Sequence, residues 1–111
     1  LSLKLSNLAR VMEEFRKFDS EMQSQTILAF IIVANKRSQN STVSIGEVGA
    51  LLGITSASAS RNIAALTAFS RHRRKGHDLI TTYENPEFRV EKFIELTEKG
   101  KALVTRLEDI I

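Results

Sequence analysis

Leu1, Leu5, Leu8, Met12 and Phe15 recur every three or four positions, and Val11 and Phe18 widen the stripe. Arg10, Glu13, Glu14, Arg16 and Lys17 fill the other faces. That period predicts an amphipathic helix over residues 3–18. A stripe so rich in Leu and Phe needs cover, and a second subunit is one way to supply it. Ser20-Glu21-Met22-Gln23 has the form of a capping box, which predicts a second helix over residues 21–36. Its centre, residues 27–34, is apolar on nearly every face, so this helix is expected in the core. Lys36 and Arg37 at its end complement the helix dipole. After a polar loop, Thr42 and Val43 predict a very short strand.

Ser44-Ile45-Gly46-Glu47 forms a second capping box, and Gly53 stops the short helix it opens. Thr55 or Ser56 caps the next helix. Two short helices joined by a tight glycine turn make a helix-turn-helix. In the second of them Ala59, Ile63 and Leu66 form the inner stripe. The opposite face carries Ala57, Ser60, Arg61 and Ala64, flanked by Ser58. Small side chains let a helix approach a groove closely, hydroxyls bond phosphates or base edges, and Arg can make a bidentate contact to guanine. The helix is expected to run on through a basic stretch to Gly76. Residues 79–83 and 88–96 alternate as strands around a turn at Pro86, a β-hairpin. Phe88, Val90, Ile94 and Leu96 share one face of it, and Arg89, Glu91, Phe93 and Glu95 the other. Thr97 starts a last helix carrying Ala102, Leu103, Leu107 and Ile110.

Charge sharpens this picture. The formal net charge of the 111 residues is only +3, yet residues 48–77 contain no acidic side chain. That window holds Arg61, Arg71, Arg73, Arg74 and Lys75, leaving 11 cations against 13 anions elsewhere. A basic middle on a nearly neutral chain suits a polyanion-binding face. The chain has no cysteine, which excludes thiolate metal sites, disulfides and cysteine nucleophiles. The longest apolar run is far shorter than the roughly 20 residues of a membrane span. No secretory signal pattern is visible, and a cytoplasmic protein is expected. Catalytic and metal sites and a cofactor are not expected. His72 and His77 do not share a helix face, Glu13 and Glu14 diverge, and there is no Gly-rich phosphate loop.

The order helix, helix, short strand, helix, helix, hairpin, helix resembles the MarR-type winged helix-turn-helix transcription regulators. The carrying residues run from Ser44 to Thr55, then Ala59-Ser60-Arg61-Asn62-Ile63 with Leu66, then Ile94-Glu95-Leu96-Thr97-Glu98-Lys99-Gly100. The last is similar to that family's junction of wing and C-terminal helix. The segment from Leu66 to Gly76 is longer than the family pattern, and the wing lacks the usual Asp-x-Arg at its tip. The resemblance implies a mainly α fold with a small β-hairpin (α+β), a single winged-helix domain over residues 1–111, and a homodimer. Residues 1–18 and 97–111 would dimerise through Leu1, Leu5, Leu8, Met12, Leu103, Leu107 and Ile110. The recognition helix would enter the major groove of double-stranded DNA. Ser56, Ala57, Ser60 and Arg61 would face bases, and Ser58 and Asn62 the backbone. Arg89 would reach toward the minor groove, and Ser44 would help present a helix start to a phosphate. Arg71, Arg73, Arg74 and Lys75 would hold flanking phosphates or an acidic protein. A small-molecule effector is compatible with the resemblance, but no residue names one. The competing expectation is a winged helix that binds transcription or replication machinery without reading DNA.

Overall fold

The computed structural model describes residues 3–69 and 75–111, apart from the side chain of Arg89. The elements are α1 (Leu3–Arg16), α2 (Ser24–Ser38), α3 (Ile45–Leu52), α4 (Ser56–Leu66), β1 (Ile80–Asn85), β2 (Phe88–Leu96) and α5 (Glu98–Ile110). This is the expected mainly helical α+β architecture.

The core forms where the inner stripes of the helices meet the base of the hairpin. Phe15 of α1 meets Phe30 of α2 edge-on, with ring centroids 5.7 Å apart. Around them Val33, Val48, Ile63, Leu66, Leu79, Ile80, Ile94 and Leu103 are buried. Each such side chain contributes roughly 1.5–3 kcal/mol of hydrophobic stabilisation. β1 and β2 pair antiparallel, Ile80 opposite Leu96 and Tyr83 opposite Phe93, with a register shift between Glu84 and Asn85. The apolar face expected of β2 is buried at Ile94, whereas Phe88 and Val90 stand in solvent near the turn. Residues 42–43 make no separate strand. Val43 instead accepts a hydrogen bond from the Ile94 N–H (2.8 Å), and Ser44 bridges to Phe93.

Two boundaries differ from expectation. α2 begins at Ser24, and its N-cap Gln23 makes no side-chain cap bond. Asp19 instead holds residues 19–22 in a turn ahead of the helix. Its carboxylate accepts from the Glu21 N–H (2.9 Å) and its carbonyl from the Met22 N–H (3.1 Å). α4 ends at Leu66 rather than running to Gly76, with Thr67 extended. The returning chain supplies the reason. His77 N–H donates to the Ala65 carbonyl (3.1 Å) and Leu79 N–H to the Leu66 carbonyl (2.8 Å). The last carbonyls of the helix thus find partners outside it, and Leu79 enters the core beside Leu66.

α5 is fixed at its start. Thr97 accepts from the Gly100 N–H (3.0 Å) and donates its hydroxyl to the Asp78 carbonyl (2.7 Å), and the Leu79 carbonyl accepts the Thr97 N–H (3.1 Å). Gly100 lies so close to Leu79 that a Cβ there would stand 2.0 Å from its carbonyl oxygen. α5 then packs on α1, where buried Glu14 joins Lys17 and Arg106, the latter at 2.9 Å. The Lys17 hydrogen bond is the main reason the Glu14 carboxyl is held below its usual range. Burial opposes the shift and Arg106 adds to it. This packing corrects one part of the expected dimer surface. Leu103 and Leu107 are buried in the chain's own core, and Ile110 packs against that core. Leu5, Leu8 and Met12 remain exposed, and Leu1 lies outside the described residues.

Candidate nucleic-acid interface

The helix-turn-helix is built by caps. Ser44 accepts from the Glu47 N–H (3.1 Å) and Glu47 accepts from the Ser44 N–H (3.3 Å), closing the capping box on α3. Gly53 takes the left-handed conformation (φ 68°) that ends α3, a region disfavoured for other residues. Thr55 then caps α4 by accepting from the Ser58 N–H (3.1 Å).

α4 separates its faces sharply. Ala59, Ile63 and Leu66 are buried, while Ser56, Ala57, Ser60 and Arg61 are exposed. Ser58 is half-buried, and its hydroxyl accepts from the Arg61 guanidinium (2.9 Å). The five expected groups therefore lie together on the outer side of the helix and its leading edge.

Asn62 is placed differently. It is only 7% exposed, and its carboxamide is spent inside the molecule. The oxygen accepts from the Thr26 hydroxyl (2.7 Å), and the nitrogen donates to the Ser58 carbonyl (2.9 Å) and Gln25 (3.3 Å). A DNA-backbone role for Asn62 is thereby replaced by a tie between α4 and α2. The spacing held the signal, because 59, 62, 63 and 66 fall on one face of a helix. Thr26 and Gln25, which complete the tie, carried no signal of their own. Ser44 is likewise buried, with its hydroxyl engaged in the cap, so it supports the helix start rather than reaching out.

Behind Arg61 lies a polar cavity of about 390 Å³ between the α1–α2 connection, α4 and His77. Burial pushes the His77 imidazole below its usual pKa; Asp19 pulls it up and Lys99 pushes it down. Its ring meets Phe18 edge-on at 6.4 Å. Lys75 is exposed, next to a backbone bridge with Phe69. Arg71, Arg73 and Arg74 lie outside the described residues, as does the side chain of Arg89. The wing's own charge is unfavourable for phosphate, since Glu84, Glu87 and Glu91 outnumber Arg89 and Lys92.

No family model and no curated protein matches the chain. Solved structures do. RV1404 from Mycobacterium tuberculosis superposes with a TM-score of 0.70 at 17% identity, covering 96% of this chain and 65% of that one. The transcriptional regulator Tm0710 from Thermotoga maritima gives 0.61 at 21% identity, covering 92% and 65%. BpsR from Bordetella bronchiseptica, whose DNA binding is regulated by 6-hydroxynicotinic acid, gives 0.56 at 22% identity, covering 97% and 74%. The chain thus spans just under two thirds of RV1404 and of Tm0710. It has the winged helix-turn-helix fold of MarR-type transcription regulators. No helix among the described residues is long and apolar enough to cross a membrane.

Proposed function

We propose that the chain is a sequence-specific double-stranded DNA-binding transcription regulator that acts as a homodimer. The observation that carries this is the outer face of α4. It offers Ser56, Ala57, Ser60 and Arg61 on a rigid helix, within a window free of acidic side chains. Solvent faces ordinarily carry Lys and Glu, and this one has neither. In this reading Arg61 contacts guanine and the two serines bond base edges or phosphates. Arg71, Arg73, Arg74 and Lys75 follow α4 in the chain and supply charge for flanking phosphates. In the dimer, Leu5, Leu8 and Met12 of α1 meet the partner, and paired recognition helices enter successive major grooves roughly 34 Å apart. The DNA-regulating role of the structural neighbours supports the same reading.

Selection of bound sequences from a random DNA library, with the native chain and Arg61→Ala, tests this. The native chain should enrich a near-palindromic site. Arg61→Ala should lose about 1–3 kcal/mol of discrimination at one base pair per half-site. An unchanged preference in the variant removes α4 as the reader. No enrichment at low salt favours the second reading, a protein-interaction module, which the acidic wing supports.

A further inference from the structure

The outer face of α4 has two flanks. Ser56 and Ser60 border the groove beside β2, whereas Ser58 and Arg61 border the polar cavity next to the α1–α2 connection. Arg61 shares that cavity with the carboxylates of Asp19 and Glu21. Among the described residues it forms an ion pair with neither. Its Nη2 donates instead to the Ser58 hydroxyl, one helical turn back, at 2.9 Å. A neutral acceptor fixes the guanidinium without cancelling its charge.

Ser58 is itself held on both sides of its backbone. Its N–H donates to the Thr55 hydroxyl (3.1 Å), and its carbonyl accepts from the Asn62 carboxamide (2.9 Å). Asn62 is tied in turn to Thr26 (2.7 Å) and Gln25 (3.3 Å) of α2. The acceptor offered to Arg61 therefore stands on a chain of bonds that ends in another helix. A guanidinium has donors to spare. With one Nη2 hydrogen engaged, its end-on edge still presents a fork to the O6 and N7 of guanine. A long side chain loses rotamer freedom when it binds, and one already oriented loses less.

We propose that Ser58 is a positioning residue, which holds the Arg61 guanidinium ready to read a base and makes no contact with the DNA backbone itself. The expected backbone role of Ser58 is thereby replaced. The effect on base choice rests on the DNA-binding reading. The orientation of Arg61 is a property of the free chain and does not.

Ser58→Ala removes the acceptor and keeps the Thr55 cap, which uses the backbone N–H. Alanine also favours the helix, so the variant should fold with an unchanged urea midpoint. In the free chain, NMR of the Arg61 guanidinium should show faster rotation in Ser58→Ala than in the native chain, with Ser58→Thr near native. In selection from a random DNA library, Ser58→Ala should lose about two- to tenfold in preference at the base pair that Arg61→Ala also loses. Ser58→Thr should keep most of that preference, and Ser58→Ala should add nothing in an Arg61→Ala background. Equal guanidinium rotation in the native chain and Ser58→Ala overturns the proposal, whatever the chain binds. A uniform loss across all sequences, or a loss that persists in the Arg61→Ala background, overturns it by making Ser58 a DNA contact. Lost preference in Arg61→Ala with none lost in Ser58→Ala ends the positioning role and leaves the DNA-binding reading standing. No selected DNA at low salt, or an unchanged preference in Arg61→Ala, overturns base reading by Arg61 and the proposal with it.

Discussion

α4 and the wing are neighbours on one side of the molecule, and they are built on opposite plans. α4 is held from beneath along its whole length by Ala59, Asn62, Ile63 and Leu66, and shows only small side chains and one Arg outward. The wing is held at its base, by Ile80 and Ile94, and carries Phe88 and Val90 out into water. Reading base edges needs fixed side chains with little bulk. α4 has that composition, and the projecting wing, with Phe88 and Val90 in water, does not.

Several substitutions would break or sharpen that contrast. Leu66→Ala should have the largest effect, about 2–5 kcal/mol of lost stability in urea unfolding, because the cavity opens under α4 and beside Leu79. A loss below 1 kcal/mol would mean that α4 is not anchored there. Asn62→Leu should cost about 1–3 kcal/mol by leaving the Thr26 hydroxyl buried and unpaired. Adding Thr26→Val should restore much of it, and an additive double mutant would deny the tie. Val90→Ser should move stability by less than about 0.5 kcal/mol, since the side chain is already in water.

The acid side of the stability curve offers a further check. The folded His77 has a depressed pKa, so its contribution is complete above the unfolded value near 6.5 and is lost as pH falls through the folded one. Stability of the native chain should therefore fall more between pH 7 and 5 than that of His77→Gln. Parallel curves would show that the imidazole is not selectively held neutral beneath α4.

Much of the fold was legible in the chain. Local rules sufficed where the determinants lie within one turn of each other, as with the Ser44–Glu47 box, the Gly53 stop, the Thr97 cap and the Pro86 turn. They failed where groups far apart compete. Nothing near Ser20 says that Asp19 will hold this stretch in a turn. Nothing in residues 67–76 says that His77 and Leu79 will return to end α4. An apolar stripe also does not tell which of its members the chain's own core consumes, which is why Leu103 and Leu107 read as partner-facing. For the candidate site, helical spacing tells that Ser56, Ala57, Ser60 and Arg61 stand outward on α4, whereas Asn62 turns inward. Its polarity drew attention outward while its spacing pointed in.

The contact of Gly100 with Leu79 has a mechanical consequence. The C-terminal helix is bolted through Thr97 and Gly100 onto the returning segment, and that segment grips the last turn of α4. The two helices share one joint with no slack, like the arms of a bell crank. In the dimer proposed above, a few degrees of tilt in α5 would swing α4 of each subunit with it. The spacing between half-sites would then be set like the jaws of a caliper, far from any base.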